Sequence, residues 1–492
     1  MTLIEEGTVT DNNNHHNHNH DVMTDIDIDI EADINNNNTI AITTATSSSC
    51  FSTNTSNERQ TAMKTTITTD KDNHPQSQQL QQQLSLTDAV VMLTAWATAG
   101  VIITIPYIYG QIGYALGSVL LVIVMSCKVY TATFLLKVSD QRKPGTIHKL
   151  GDVGEALAGR KGRILFELFQ MTNLLFFLPV ALETVSISLQ YLSTSSSENS
   201  NSISNCSGMW NIITCVLMYV LIQLMNNWYH MTWLGYLSAS IVAIKAYAFL
   251  PYTYVTYQDE IISSTDYMGP SQAIGNPDPT WQNYAVALAG IVYAGAPVFI
   301  LFEVRSSMKE PQQMKKAVYI SSFLQLSMFL VAGITAVALW GWNVTDPINQ
   351  QIPKGWVGDV INITIVLATM LDYCIASKVT NSWFKATFLS SWSDTIGTKL
   401  LYTLPTTIVA ISCVLLIPEF STMIGILSSV TIVSMTSWAV PFAWELGGRA
   451  YQANRKIMML VLVVGILVNV FALAGSIDAA ATATYSFNMF CG

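Results

Sequence analysis

The chain has 492 residues, of which 51% are hydrophobic and only 11% are charged. A soluble globular protein carries about 25% charged residues, so this composition excludes an ordinary soluble domain and places most of the chain in a lipid bilayer. The formal net charge of −9 belongs to the N-terminal region, because residues 1–85 contain three basic and twelve acidic residues and the remaining 407 contain 20 of each. The membrane part is therefore neutral as a whole, and no nucleic-acid partner is indicated.

Residues 1–85 form a polar, low-complexity stretch that is rich in Asn, Thr, Ser, Gln, His and Asp. Such a segment holds too little apolar surface to offset the entropy of ordering. We therefore predict a disordered cytoplasmic tail over 1–85 and a transmembrane domain over 86–492. The histidines between residues 15 and 20 are typical of a solvated tract, and the seven cysteines show no metal-ligand spacing. We expect neither a metal nor a cofactor.

Eleven apolar stretches have the length that a membrane-spanning helix needs, which is about 20 residues for a hydrocarbon core of about 30 Å. We therefore predict an all-α integral membrane protein of about eleven transmembrane helices. The predicted spans cover residues 87–107, 113–136, 164–191, 210–226, 233–256, 281–303, 317–340, 357–377, 400–417, 421–442 and 457–478.

The distribution of Lys and Arg predicts the orientation of these spans, because basic residues are retained on the cytoplasmic side. The connections after the second, sixth, eighth and tenth spans hold 17 basic residues, whereas the alternate connections hold only Lys354. We therefore expect a cytoplasmic N-terminus and a location in the plasma membrane or in a vacuolar or other endomembrane. The sequons at Asn205 and Asn343 fall in outward connections, so both are predicted glycosylation sites.

Two of the predicted spans carry glycine and proline near their centres, where these residues favour interruption of a helix. In the first span the small residues 97–100 precede Pro106, and in the sixth span Pro297 closes a small-residue stretch. Breaks five spans apart are typical of transporters built from two inverted five-span repeats, whose substrate sites use the exposed helix ends. The candidate substrate-binding residues are Thr98, Ala99, Gly100, Val101, Tyr293, Ala294, Gly295 and Ala296.

Three stretches occur in the order and spacing of one transporter family. They are AGVIITIPYIYGQIGYALGSVL at 99–120, GDVGEALAGRKGR at 151–163, and Glu303 followed by MKEPQQMKKA at 308–317. The chain resembles the amino acid/auxin permease family over residues 85–490, and it is somewhat similar to the plant auxin importers. This resemblance implies the five-plus-five inverted-repeat fold and the uptake of amino acids or related organic acids, usually driven by a proton gradient.

One position departs from the family pattern. Many members have a Gly-His pair in the sixth span, where this chain has Pro297 and Val298, so proton coupling requires another titratable group. Lys245 lies near the middle of the fifth span, where burial disfavours a charged ammonium, and we expect it to exchange the coupling proton. In related transporters a lysine on this span occupies the place of a sodium ion. Its alternative role is a permanent structural pair with a carboxylate.

Two more ionisable residues in the spans call for an interpretation. Asp372, late in the eighth span, is a candidate partner for Lys245 or a ligand for a substrate amine, and it is otherwise expected to reach the cytoplasmic face near Lys378. Lys128 lies nearer the cytoplasmic end of the second predicted span. We expect its long side chain to extend toward the headgroups at that end.

Other functions fit the sequence less well. An intramembrane enzyme usually places acid–base or metal-binding clusters in its spans, and no histidine lies within any predicted span. A channel would need a repeated selectivity sequence or rings of charge. Two alternatives stay open, an importer of an auxin-like indole acid and a nutrient sensor on the same fold, because both would use the same substrate site.

Deletion of residues 1–80 is expected to leave transport intact, because this polar segment lies outside the bilayer and adds no apolar surface to the transmembrane domain. The measurement is the uptake of radiolabelled amino acids by the truncated and full-length proteins, normalised to surface expression. A truncated protein that reaches the membrane but transports nothing would contradict the prediction, whereas altered trafficking alone would not.

Overall fold

The structure, a computed structural model, describes most of the chain between Leu84 and Thr482. The described residues are 84–98, 101–142, 146–193, 207–224, 228–263, 276, 278–295, 297–348, 351–352, 354–389, 391, 393, 395–416, 420–449 and 451–482. The predicted tail, the glycosylation candidate Asn205 and the candidate site residues Ala99, Gly100 and Ala296 lie outside these ranges.

Helices occupy the positions of all eleven predicted spans. The α-helices are α1 (Leu86–Thr98), α2 (Ile105–Ile112), α3 (Tyr114–Asp140), α4 (Leu150–Ser193), α5 (Ser207–Leu224), α6 (Trp228–Ile244), α7 (Leu250–Ser263), α8 (Trp281–Tyr293), α9 (Leu301–Ser306), α10 (Met314–Trp340), α11 (Trp356–Phe388), α12 (Ile396–Leu416), α13 (Phe420–Leu427), α14 (Val440–Leu446) and α15 (Arg455–Thr482). Among the described residues, eight helical segments are long and apolar enough to cross a membrane, and two shorter apolar helices accompany them. The predicted all-α membrane architecture is confirmed, and the exact number of spans stays a prediction.

The outer surface of α15 shows how the bundle meets lipid. Large apolar side chains on this helix are more than half exposed, namely Leu460, Val463, Leu467 and Val470. An exposed apolar band of this kind would promote aggregation in water, but it needs no further cover in a hydrocarbon layer.

The start of α1 is held by side-chain and backbone hydrogen bonds. Ser85 Oγ accepts from Asp88 N at 3.2 Å and Asp88 Oδ2 accepts from Ser85 N at 2.7 Å, which satisfies two orphan donors at once. Leu84 exchanges backbone hydrogen bonds with the segment after α9, donating to Ser307 O at 2.7 Å and accepting from Lys309 N at 2.9 Å. The first span is therefore anchored to the connection between the sixth and seventh spans.

The longest helix among the described residues, α4, packs against several other helices of the bundle. It packs along α11 and also contacts α5, α12 and the π-helical segment Ser428–Ala439. Asn173 Nδ2 donates to Thr431 Oγ1 at 2.9 Å across that contact. The helix changes direction at Ala158 and Gly159, where the backbone is not helical, so its transmembrane part begins close to the predicted residue 164.

The packing of α2 against α3 and α10 depends on two glycines that flank one aromatic ring. Tyr109 of α2 is fully buried, and a Cβ on Gly117 or Gly333 would lie 3.1 or 2.8 Å from its ring carbons. The absence of side chains at these two positions therefore lets three helices approach the same ring.

Replacement of Gly333 with Ala is expected to lower the free energy of unfolding by about 1–3 kcal/mol, because the new methyl group overlaps the buried Tyr109 ring. The measurement is the thermal unfolding midpoint of the purified protein in detergent. Gly397→Ala in α12 is the matched control, since a Cβ there has no heavy atom within 4 Å. Equal midpoints for the two variants would show that the close approach does not limit packing.

Candidate functional site

The first predicted break is present in the structure. Helix α1 ends at Thr98 and α2 begins at Ile105, with Pro106 in its first turn. Thr98 is fully buried, and its hydroxyl donates to Thr94 O at 2.6 Å, within the helix that it ends. Residues 101–104 form a turn that is closed by the Thr104 N to Val101 O hydrogen bond of 2.9 Å. Val101 therefore lies inside the interruption, and its contact with the substrate stays a prediction.

The second predicted break follows Tyr293 in the sixth span. Helix α8 ends there, Ala294 has an extended ψ of 131°, and the span continues only through the 3-10 turn Pro297–Ile300 into α9. Gly295 has a φ of 66°, which favours glycine. A Cβ at this position would also lie 2.5 Å from Met125 Sδ and 3.0 Å from Gln325 Oε1. Both its conformation and its close neighbours therefore require glycine.

The two interrupted spans lie side by side with their halves in opposite order. Helix α1, the first half of the first span, contacts the 3-10 turn and α9 of the sixth span. Helix α2, the second half, contacts α8. This antiparallel arrangement brings the two breaks to the same level of the bundle. The described candidate residues at the breaks are all buried, namely Thr98, Val101, Tyr293, Ala294 and Gly295.

Lys128 of α3 is also at the sixth-span break, and the prediction that it extends toward the headgroups is wrong. Lys128 is only 3% exposed, and its ammonium donates to the carbonyl oxygens of Val292 and Ala294. Helix α3 runs from Tyr114 to Asp140, so at 1.5 Å per residue Lys128 lies about 21 and 18 Å from its two ends. The last carbonyls of a helix lack donors within that helix, which explains why they bind this ammonium.

Gln325 of α10 lies between α1 and the sixth-span break, and the sequence analysis did not identify it. Its Nε2 donates to Leu93 O of α1 at 3.1 Å. Its Oε1 is buried near Gly295 and has no hydrogen-bond partner among the described residues. The available signal was a glutamine, a strongly polar residue, near the middle of a predicted span.

The second half of the sixth span is held by a different helix. Gln170 of α4 donates from Nε2 to Phe299 O at 2.6 Å and to Glu303 Oε1 at 2.7 Å. The resemblance drew attention to Glu303 only as part of a motif. The structure shows that its carboxylate contributes to fixing the residues that follow the break.

Asp372 of α11 is fully buried and does not extend toward the cytoplasmic face. Its two carboxylate oxygens have no hydrogen-bond partner among the described residues, and neither does the hydroxyl of Tyr293. The Asp372 carboxylate lies within electrostatic range of Tyr293, without a hydrogen bond between the two side chains. The eighth span therefore places a carboxylate near the sixth-span break.

Lys245 is buried as well, at 2% exposure, but its ammonium has no hydrogen-bond partner among the described residues. It begins the π-helical turn Lys245–Phe249 between α6 and α7, a turn that contacts α10 and α11. The structure does not pair Lys245 with Asp372, because the ammonium and both carboxylate oxygens are unpartnered.

Of the two predicted glycosylation sites, only Asn343 lies within the described residues. It is exposed in the connection between α10 and α11. Modification at Asn205 and Asn343 stays a prediction.

Comparisons with known proteins extend the observations to a family and a fold. The family model described as transmembrane amino acid transporter protein matches residues 82–478. A crystal structure of MhsT in complex with L-phenylalanine is similar, with a TM-score of 0.54 and 14% identity over 79% of this chain and 98% of that chain. Two mutants of the Eremococcus coleocola manganese transporter are similar with a TM-score of 0.53 and 13% identity, over 82% of this chain and 88% of theirs. No curated protein matches the sequence.

Proposed function

This chain belongs to the transmembrane amino acid transporter protein family, and we propose that it is a proton-coupled secondary transporter that binds its substrate between the two breaks. The substrate is an amino acid or a related small organic acid, and the coupling ion is the proton. The observation that carries this proposal is the antiparallel contact of the first and sixth spans, which brings their interrupted centres to one level.

The first break suits the carboxylate of the substrate. An interruption at Thr98, Ala99, Gly100 and Val101 would free backbone N–H groups for this carboxylate, and α2, whose N-terminal end carries the positive end of its dipole, begins shortly afterwards at Ile105. Carboxylates bind at such helix N-termini without a basic side chain. The absence of an arginine from the spans is therefore compatible with an anionic group on the substrate.

Asp372 suits the amine of the substrate. A buried carboxylate without a partner is costly, and a substrate ammonium that reaches it beside Tyr293 would supply the missing charge. This residue favours an amino acid over an auxin-like indole acid, because an indole acid has no amine to place there.

Lys245 is the proposed proton carrier. An ammonium with no counter-ion among the described residues loses its proton more readily than one held in an ion pair. The π-helical turn that contains it contacts α11, so a change in its charge acts directly on the eighth span. Deprotonation in the inward-open state would loosen the first and eighth spans and release the substrate.

Gly100→Leu is expected to reduce uptake at least about tenfold, because a large side chain in the first break blocks approach of the substrate to the backbone N–H groups. The measurement is uptake of a radiolabelled amino-acid panel, together with an indole acid, into proteoliposomes with and without a pH gradient. The control is Gly397→Leu, where the glycine has open space around it.

Normal uptake by Gly100→Leu would remove the first break from the substrate site. Wild-type uptake of the indole acid alone would select the auxin-like alternative. Binding of amino acids without any uptake would select the nutrient sensor.

Lys245→Met is expected to leave a folded protein whose uptake no longer responds to an imposed pH gradient, because the proton-exchanging group is gone. Uptake at inward and outward pH gradients is compared with that of Lys316→Met, which removes an exposed lysine of α10. Wild-type uptake that requires sodium and ignores pH would refute the mechanism and leave Lys245 a structural residue.

A further inference from the structure

Lys128 is one of only two basic residues inside the predicted spans, the other being Lys245. A charged side chain at the middle of a span is expensive in free energy unless the protein compensates it. No carboxylate forms an ion pair with Lys128 among the described residues. Its described partners are the carbonyl oxygens of Val292 and Ala294.

These two carbonyls form a cation site at the end of a broken helix. Val292 belongs to the last turn of α8 and Ala294 follows its final residue, so both lie at the negative end of the helix dipole. Buried carbonyl oxygens at interrupted helices are the ligands with which membrane proteins bind alkali cations. In this chain the ammonium of Lys128 takes the place that a small monovalent cation would occupy.

We infer that Lys128 is a built-in cation that fixes the geometry of the sixth-span break and thereby positions the substrate site. Ala294 immediately precedes Gly295, whose left-handed backbone turns the chain into Pro297–Ile300. A cation on the Ala294 carbonyl therefore holds the residue at which the span changes direction. Lys128 is therefore a positioning residue. Its effect on substrate affinity rests on the proposed function, whereas its role as the cation at the break does not.

The two buried lysines have different environments and therefore different roles. Lys128 is held by two acceptors, whereas the ammonium of Lys245 has none among the described residues. Loss of Lys128 should alter the substrate KM and the requirement for external cations. Loss of Lys245 should alter the response to pH.

The test uses the full-length protein with Lys128→Ala, which leaves the two carbonyls without their cation. We expect the KM for the transported amino acid to rise at least about tenfold with a smaller change in kcat. We also expect ethylammonium or sodium to restore part of the affinity, and choline, which is too bulky, to restore none. Lys137→Ala is the matched control, because Lys137 also lies on α3 and donates to a carbonyl, that of Gln452, but is exposed.

A second readout does not depend on transport. The thermal unfolding midpoint of purified Lys128→Ala should rise with added ethylammonium or sodium, relative to choline at the same ionic strength, while the midpoints of wild type and Lys137→Ala should not. If the wild type transports no amino acid but this shift is seen, the proposed function fails and the cation site stands. If the wild type transports and neither the KM nor the midpoint of the variant responds to cations, the inference is overturned.

Lys128→Gln distinguishes the effect of the positive charge from the effect of the hydrogen bonds. It also replaces the alanine variant in the test if that variant does not fold. Its amide donates to a carbonyl but carries no charge. We expect a raised KM in this variant as well. A wild-type KM would show that a neutral donor is sufficient and would overturn the assignment of Lys128 as a cation.

Discussion

Backbone N–H and C=O groups inside a bilayer must find their partners within the protein, and the interrupted spans of this transporter meet that requirement with side chains from neighbouring helices. An unbroken helix satisfies its own backbone, whereas a break exposes helix ends. Lys128 binds the carbonyl end of α8, Gln325 binds a carbonyl of α1, and Gln170 binds a carbonyl beyond the sixth-span break. These polar side chains hold the interrupted spans to their neighbouring helices by hydrogen bonds to backbone carbonyls.

The same arrangement separates structural polar groups from functional ones. The two halves of the sixth span are anchored independently, the first to α3 through Lys128 and the second to α4 through Gln170. Native proteins leave few buried polar groups without partners. Three such groups lie on spans that the proposal assigns to the site, namely Asp372, Tyr293 and Lys245, whose polar side-chain atoms have no hydrogen-bond partner among the described residues. A substrate and a proton are the partners that the proposed function supplies.

Two segments of the bundle are π-helical, which means that their turns are wider than those of an α-helix. The π-helical turn Lys245–Phe249 lies in the fifth predicted span, and the segment Ser428–Ala439 lies in the tenth. Such segments often occur at functional sites. Their separation of five spans equals that of the two breaks, which is the spacing required by the predicted inverted repeats. Ser428 in the second segment donates to Ala289 O of α8 at 2.6 Å, so the tenth span also contacts the interrupted sixth span.

The sequence by itself determined the all-α membrane architecture and the positions of both breaks. Helix α1 ends at Thr98 and α8 at Tyr293, as the local glycine and proline pattern predicts. Hydropathy, backbone flexibility and the missing N–H of proline are properties of a residue and its immediate neighbours. No fold is needed to evaluate them, and they can be read along the chain.

Only the tertiary structure decided which polar residues are at the site. The partners of Lys128 are 164 and 166 residues away in the sequence. The predicted second span ends at residue 136, whereas α3 continues to Asp140, so the sequence placed Lys128 too close to the headgroups. The side chain of Gln325 lies beside Gly295 because α10 packs against α1, α2 and α3. Lys245 and Asp372 are a basic and an acidic residue, yet their side chains do not form a pair. Whether two charges in a membrane meet depends on the packing of their helices, and a linear pattern does not contain that packing.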